Sequence, residues 1–465
     1  MGSGYIRGDA GVTDRDVVRP EPVADPPSPP PAAPAAATGS GSRLAWLDVL
    51  RGIAALAVVF DHLSYYVLQV LRHIVYQWFN PGNYGVFVFF MISGYIVPAS
   101  LERKGSVRTF WVSRLFRLYP LYLLVVMLAV ALAAVHLGGL RGEGADPETS
   151  VLSQLLMMSN VLGGENLPNV VWSLSYEMVF YLLLTALFAA RIHRRSSWYA
   201  LAFAAAAVAI GGFLPQAYFT HTLNAPRLTA LAADALVLAG LALAVVRRGM
   251  PRMVGAALAA LVAVTLLAFN GSWIPPWEAL SILALMFTGT VLYRAEQGQY
   301  PWRRAIAVAV AVFSLAIVAG IWHSHVWGMS AGAEATWERT WFLSLLLAGA
   351  TFAAGMTFRH VRWPRMLTWL GLISYSVYLL HPLLVEVYYH VPWLHAHHPF
   401  WLQLLLAAAF LAVTIGICSA TYLLVERPMQ DLGRRVAKWA DARFGPDRAP
   451  AREPVLTPRA HPATD

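Results

Sequence analysis

The sequence is poor in charged residues, in lysine and in cysteine. Only 13% of its 465 residues are charged, against about 25% in a typical soluble domain, whereas 58% are apolar. This balance argues against a soluble enzyme, a disordered regulator and a coiled coil. Cys418 is the single cysteine, so the chain can form neither an internal disulfide nor a cysteine-based metal site. The net charge of +9 does not indicate nucleic-acid binding, because such binding needs a basic patch on a polar domain.

The two ends of the sequence differ in composition from the rest. Residues 1–42 include the run PEPVADPPSPPPAAPAAATGSGS, and the last residues are again rich in proline, arginine and alanine. Runs of this kind are typical of disordered tails. We therefore predict a disordered Pro/Ala-rich tail over 1–42, a membrane domain over 43–430 and a basic, Pro-rich tail over 431–465.

Twelve apolar stretches lie between the tails. Crossing a bilayer takes roughly 20 residues at about 1.5 Å per residue, and each stretch is long enough or nearly so. They cover residues 45–70, 84–101, 110–136, 170–190, 198–214, 228–246, 253–269, 277–293, 305–322, 340–358, 369–389 and 401–424. Because several are short, we predict an all-α, polytopic transmembrane helix bundle of about 10–12 spans.

Basic residues cluster after every second stretch. The clusters begin with Arg103/Lys104/Arg108 and continue with Arg191/Arg194/Arg195, Arg247/Arg248/Arg252, Arg294/Arg303/Arg304, Arg359/Arg362/Arg365 and Arg427/Arg434/Arg435/Lys438. The other connections carry one basic residue or none. The positive-inside rule therefore predicts that both termini are cytoplasmic in a multi-pass protein of the cell membrane.

Two ionisable residues of the first stretch share one helix face. Arg51 and His62 are eleven residues apart, which is about three helical turns and roughly 16 Å along the axis. A charged or titratable group inside a span is costly and is a functional candidate by default. Histidine is the usual general base near neutral pH, so His62 is a candidate for catalysis, although a structural role fits its position equally well.

An arginine pair opens the third stretch. Arg114 and Arg117 lie three residues apart on one face, close to Arg103, and are followed by Pro120. They could be positive-inside anchors, but they lie deeper than an anchor needs. Because guanidinium groups bind phosphate oxygens in forked pairs, these arginines are candidates for binding a phosphate-bearing ligand.

Three further polar positions leave alternatives open. Glu177 could orient His62 or pair with an arginine. The Ser93–Gly94 step favours close helix approach over a serine nucleophile. His381 could line a polar cavity. The run His395–His398 has no acidic or cysteine neighbours, so we do not interpret it as a metal site.

Six segments together resemble the acyltransferase 3 family of integral membrane O-acyltransferases. In order along the chain they read LDVLRGIAALAVVFDH, GVFVFFMISGYIV, SRLFRLYPLY, VWSLSYEMVFYLLL, LGLISYSVYLLHPLL and VERP. The resemblance runs from about Trp46 to Met429. It implies an enzyme that transfers an acyl group, commonly acetyl, from cytoplasmic acyl-CoA to a hydroxyl of a surface glycan, a lipid-linked sugar or a glycosylated natural product.

The resemblance also assigns expected roles to individual residues. Its arginine–histidine motif falls on Arg51 and His62, its paired-arginine motif on Arg114 and Arg117, and its tryptophan–serine–leucine…glutamate motif ends at Glu177. The sequence departs from the family pattern at Met178, where a second acidic or polar residue is common. The family is also built on a ten-helix core, so the chain has one or two more spans, which we expect between about 253 and 358.

The resemblance leads to a mechanistic expectation. His62, Glu177 and Arg51 would form the catalytic group, with His62 acting as general base or accepting the acyl group itself. Arg114, Arg117 and Arg103 would bind the phosphates of acyl-CoA, the donor substrate, with no metal and no permanently bound cofactor. The alternative is a twelve-span secondary transporter that exports a glycan or an antibiotic. That alternative explains the span count but not the spacing of Arg51 and His62.

Overall fold

The computed structural model describes residues 45–137, 147–324, 331–394, 398–445 and 447. All regular secondary structure in these residues is helical. The seventeen α-helices are α1 (Ala45–Leu63), α2 (Gln69–Tyr76), α3 (Pro81–Lys104), α4 (Val107–Ala134), α5 (Pro147–Leu155), α6 (Ser159–Leu162), α7 (Trp172–Ala189), α8 (Ser196–Ala209), α9 (Pro226–Val246), α10 (Met250–Phe269), α11 (Pro276–Glu296), α12 (Trp302–Ser324), α13 (Ala331–Thr357), α14 (Arg365–Leu372), α15 (Ser374–Tyr389), α16 (Phe400–Thr421) and α17 (Arg427–Phe444).

The predicted all-α membrane bundle is confirmed. In the described part of the chain, nine helices are long and apolar enough to cross a membrane, and α14 with α15, bent by 68° at their junction, makes a tenth. Two of the twelve predicted stretches fall short of that standard. Helix α1 carries three charged residues, and α8 has only 14 residues. Within the described residues the structure thus supports nine spans, or ten with the bent pair, which reaches only the lower end of the predicted range of 10–12.

Helix α11 lies at the centre of the bundle and packs closely on α3. Its apolar window is completely buried. A Cβ on Gly94 would lie 1.8 Å from the carbonyl oxygen of Met286, and a Cβ on Gly289 would lie 2.2 Å from that of Met91. Only glycine allows backbones to approach so closely, and Thr290 Oγ1 then donates to the Gly94 carbonyl at 2.8 Å. The prediction that the Ser93–Gly94 step permits close helix approach is confirmed.

Helix α1 connects two ends of the bundle, because it carries Arg51 near its start and His62 in its last turn. It packs against α3, α14 and α15, and its start is fixed where Gly371 approaches it, because a Cβ there would lie 1.9 Å from the Asp48 carbonyl oxygen. We call the end of the bundle that holds Arg51, Arg114 and Arg117 the arginine end. The opposite end, where α1 finishes at His62, is the histidine end.

The chain closes with a helix that packs on the start of α4. A π-helical turn at Tyr422–Glu426 joins α16 to α17, and a Cβ on Gly433 would lie 2.5 Å from the side chain of Phe116. Beyond α17, Asp447 accepts hydrogen bonds from Ser106 Oγ and the Arg108 backbone N–H, both at 3.1 Å. Helical structure thus extends into the segment assigned to the C-terminal tail. The N-terminal tail over 1–42 lies outside the described residues.

Candidate active site

Two histidines meet at the histidine end. His62 ends α1, and His381 comes from the middle of α15, where its side chain is completely buried. Their rings are 5.0 Å apart between centroids, and His381 Nε2 lies 3.2 Å from His62 Nδ1. Each Nδ1 also contacts the carbonyl oxygen one turn earlier on its own helix: Val58 at 3.0 Å for His62, and Val377 at 2.8 Å for His381.

A cavity of about 1020 Å³ opens beside His62. Its volume is at the upper limit of ordinary small-molecule sites. Five aromatic side chains line it: Tyr65, Tyr66, Trp172, Trp273 and Tyr378. Carboxylates and amides alternate with them: Asp61, Asn83, Glu165, Asn166, Asn169 and Glu386. Flat rings among hydrogen-bonding groups suit a ligand that has both apolar faces and hydroxyl edges.

The arginine end holds three arginines from α1 and α4. Arg51 Nη1 lies 3.7 Å from Asp48 Oδ1. The guanidinium of Arg114 lies over the rings of Phe110 and Tyr181, at 5.4 and 5.2 Å, and its Nε is buried without a hydrogen-bond partner. Neither Arg114 nor Arg117 forms a salt bridge with a carboxylate in the described residues. At this end of the bundle, Arg114 is thus buried without a salt bridge among the described residues, although carboxylates lie within electrostatic range of it and of Arg51.

Glu177 belongs to the arginine group rather than to the histidines. Its Oε1 accepts hydrogen bonds from Ser93 Oγ at 2.9 Å and from the Tyr181 hydroxyl. Arg51 and Arg114 are both within electrostatic range of its carboxylate. The sequence left two partners open for Glu177, His62 or an arginine, and the structure places Glu177 near the arginines. His62 has His381 as its ring partner instead.

Five of the six predicted site residues thus divide between the two ends. The arginine end holds Arg51, Arg114, Arg117 and Glu177. The histidine end holds His62, and α1 joins the two ends. The sixth residue, Arg103, donates from its Nε to the Ala99 carbonyl of its own helix at 3.2 Å. Of the histidine run, His395 and His397 lie outside the described residues, and His398 Nε2 contacts the Trp393 carbonyl at 2.6 Å.

Two partners in this site were not assigned from the sequence. Tyr181 donates to Glu177 from one turn further along α7, and an i,i+4 spacing of polar residues in an apolar helix was the available signal. The pairing of His62 with His381 spans 319 residues and has no signal in local spacing.

The chain matches a known protein family over most of its length. The family model for the acyltransferase domain, Acyl_transf_3, matches residues 44–423. The chain belongs to the acyltransferase 3 family. The family resemblance drawn from the six sequence segments is therefore confirmed, and the matched region contains both groups of site residues. No solved structure matches the chain.

Curated relatives match parts of the chain. It is 32% identical over 194 residues to the acyltransferase MdmB of Streptomyces mycarofaciens, covering 40% of this chain and 50% of that protein. It is 30% identical over 155 residues to the peptidoglycan O-acetyltransferase OatA of Listeria monocytogenes, covering 30% and 23%. Nodulation protein 10 of Rhizobium leguminosarum is 28% identical over 206 residues, covering 38% and 52%. The matches thus span about half, or less, of these relatives.

Proposed function

We propose that the protein is a membrane O-acyltransferase that moves an acyl group, typically acetyl, from acyl-CoA to a hydroxyl of a carbohydrate-containing acceptor. The observation that carries this proposal is the pairing of two sites on one helix. Helix α1 joins a ligand-sized cavity at His62 to a group of arginines in which Arg114 is buried, forms no salt bridge among the described residues and has an unpartnered Nε. Family membership supports acyl transfer, and relatives named as O-acetyltransferases support oxygen as the acceptor atom.

The donor would bind from the arginine end. Arg114 and Arg117 would hold the phosphates of acyl-CoA, Arg103 would contribute from the rim, and Arg51 would lie on the path inward. The roughly 16 Å along α1 from Arg51 to His62 suits the extended pantetheine arm. The alternation of basic clusters supports a cytoplasmic arginine end and two cytoplasmic termini, as expected for a protein of a bacterial plasma membrane.

The acceptor would occupy the cavity. Tyr65 and Trp273 are more than half exposed there, so a sugar ring can lie against them, while amide and carboxylate groups accept its hydroxyl hydrogens. A surface glycan, a lipid-linked sugar and a glycosylated natural product all have these features. The cavity therefore supports a carbohydrate-containing acceptor without selecting one of the three.

The proposed reaction is a direct transfer. His62 takes the proton of the acceptor hydroxyl as the oxygen attacks the thioester carbonyl carbon, an ester bond forms, and the carbon–sulfur bond breaks. The proton then passes to the leaving sulfur, so the products are the acylated acceptor and free CoA. In the alternative route, His62 itself carries the acyl group before the acceptor receives it.

Membrane vesicles with the cytoplasmic face outward test the proposal. Because the acceptor cavity would face the interior of these vesicles, they are first loaded with one acceptor at a time, either chitotetraose, methyl glucoside or a glycosylated antibiotic. They then receive [¹⁴C]acetyl-CoA on the outside. We expect label in at least one acceptor, CoA release without any ion gradient, and loss of both in His62→Ala. Wild-type transfer by His62→Ala would overturn the role of His62, and acceptor movement that requires a gradient, without CoA release, would favour the transporter.

Incubation with the donor alone separates the two routes. If His62 acts only as a base, intact-protein mass spectrometry finds no added acetyl mass. An acetyl group on His62 that a later addition of acceptor removes would establish the covalent route instead.

A further inference from the structure

We propose that His381 is a positioning residue that holds His62 in the tautomer with its proton on Nδ1, leaving Nε2 as the basic nitrogen. The inference rests on the proposed function, because it takes His62 as the base or nucleophile. It assigns to His381 a task that the reaction needs but that His62 cannot perform alone. A neutral imidazole has one hydrogen and two nitrogens, and only the nitrogen without the hydrogen can accept a proton.

The tautomer of His381 follows from its surroundings. Its Nδ1 lies 2.8 Å from the Val377 carbonyl oxygen. A carbonyl oxygen offers only lone pairs, so Nδ1 must carry the hydrogen. His381 is completely buried, and a charged ring there would have no hydrogen-bonded carboxylate to compensate it in the described residues. The ring is therefore neutral, and its Nε2 is a hydrogen-bond acceptor.

The tautomer of His62 follows in turn. Its Nδ1 faces two acceptors, His381 Nε2 at 3.2 Å and the Val58 carbonyl oxygen at 3.0 Å. If Nδ1 of His62 had no hydrogen, its lone pair would face the lone pairs of both acceptors and be repelled by them. Nδ1 therefore carries the hydrogen and shares it between His381 Nε2 and the Val58 carbonyl oxygen. Nε2 has no hydrogen-bond partner among the described residues. The lone pair that a base or nucleophile needs is thus on Nε2 of a ring that lines the cavity.

The same contacts act again when His62 gains a proton. The imidazolium keeps its Nδ1–H contacts, and hydrogen bonds from a charged donor are stronger than those from a neutral one. The charged groups around the pair are Asp61, which lies 3.8 Å from Arg72, and the cavity residues Glu165 and Glu386. None of them is hydrogen-bonded to His62 Nδ1, so His381 and Val58 are what orient this nitrogen.

Replacing His381 by residues of different reach tests the inference. In His381→Gln the side-chain carbonyl reaches about as far as Nε2 and can accept from His62, whereas in His381→Asn it is one bond shorter and cannot. We expect kcat to stay within about 5-fold of wild type in the Gln variant. The Asn and His381→Leu variants should lose roughly 10–100-fold, with an unchanged KM for acetyl-CoA. The acid limb of the kcat–pH profile should move to lower pH, because the imidazolium loses an acceptor.

A matched control separates positioning from packing. His323 is also a buried histidine, and its Nε2 contacts the Ala207 carbonyl at 3.2 Å, but it does not line the cavity. His323→Leu should lower thermal stability while kcat and the acid limb stay at wild-type values. A shift of the acid limb in this control as large as that in His381→Leu would overturn the inference.

The outcomes separate the inference from the function beneath it. Absence of acyl transfer by the wild-type protein would remove the proposed function itself, and transfer at the wild-type rate in His62→Ala would remove the role of His62 on which the inference rests. An inactive His62→Ala together with wild-type kcat and acid limb in His381→Leu would remove only the role of His381. If the Leu variant does not fold, the Gln and Asn variants decide, and equal losses in those two would contradict the inference.

Discussion

Two arginines of the bundle are buried to a similar degree but have different surroundings. Arg294 in α11 is 1% exposed and Arg114 in α4 is 6% exposed. Arg294 donates to Glu102 and Gln299 at 2.6 Å, to Ser196 Oγ at 2.8 Å and to the His193 carbonyl at 3.0 Å. Arg114 faces two aromatic rings, and its Nε has no partner.

The difference indicates which of the two arginines stabilises the fold and which one is available to a ligand. Burying a guanidinium is costly unless hydrogen bonds and an opposite charge compensate it. For Arg294 the chain supplies both, so the residue ties α3, α8 and α11 together. Arg114 has two aromatic rings and the Glu177 carboxylate nearby, but that carboxylate is hydrogen-bonded to Ser93 and Tyr181 instead, so the compensation is only partial. The remaining compensation would come from an anionic ligand, which is why we place the phosphates of the donor at Arg114 rather than at Arg294.

The largest expected effect is on stability, at Arg294. Arg294→Met leaves Glu102 facing the interior without its main partner. Removing one member of a buried ion pair typically costs about 3–5 kcal/mol. We expect a marked fall in the thermal unfolding temperature of the detergent-solubilised protein.

A double variant checks the cause of that loss. Arg294→Met combined with Glu102→Leu removes both charges and should recover much of the stability, since a buried pair replaced by apolar residues is often neutral. If the double variant were as unstable as the sum of the two single variants, the ion pair would not be the source of the effect.

The next effect is on the donor, at Arg114. Arg114→Ala should lower kcat/KM for acetyl-CoA by roughly 100-fold, because each charge-assisted hydrogen bond to a phosphate is strong and the site is buried. The unfolding temperature should change less than in Arg294→Met, because Arg114 forms no salt bridge among the described residues and Glu177 keeps its hydrogen bonds from Ser93 and Tyr181. Saturation kinetics and thermal unfolding on the same preparation measure both. If the Arg114→Ala protein bound acetyl-CoA normally but unfolded at a lower temperature, Arg114 would serve stability, like Arg294, and not donor binding.

The sequence separated these two arginines only in part. Arg114 lies inside an apolar stretch, so its depth was visible and predicted a ligand site. Arg294 lies at the end of α11 beside Arg303 and Arg304, and the alternating pattern of charge assigned it to the anchors. Its burial depends on Glu102, which is 192 residues away and on another helix. A contact of that range leaves no mark on local spacing.

The same limit applies to the histidine end. The helical fold and the shared face of Arg51 and His62 follow from periodicity, which is a local property. The cavity beside His62 is lined by residues of seven helices, α1, α3, α4, α5, α7, α9 and α15, and of the connections between helices, so its shape depends on how they pack. The sequence identifies His381 only as a polar residue that could line a cavity and does not indicate that its ring pairs with that of His62. Local physics thus predicted the members of the site, and tertiary packing decided their partners.

A smaller effect is expected at Arg117, which shares the face of Arg114 but is only half-buried. Solvent already compensates part of its charge, so its contact with a phosphate gains less. Arg117→Gln should lower kcat/KM for acetyl-CoA by about 10-fold, and added salt should weaken donor binding more in wild type than in the variant. A loss equal to that of Arg114→Ala would show that burial does not rank these two arginines.

The smallest effect concerns the pH dependence of the Arg294 cluster. The His193 ring lies in the connection between α7 and α8, outside the membrane spans, with its Nε2 3.7 Å from Glu102. Burial lowers the pKa of His193 below 6.5, the nearby Arg294 lowers it further, and Glu102 opposes both. A lowered folded-state pKa means that the unfolded chain binds the proton more readily. The contribution to stability is therefore complete above pH 6.5 and is lost as the pH falls through the folded-state pKa. Thermal unfolding at pH 7.5 and pH 5 should show a larger difference in wild type than in His193→Gln. A cluster held by Arg294 alone would give equal differences in the two proteins.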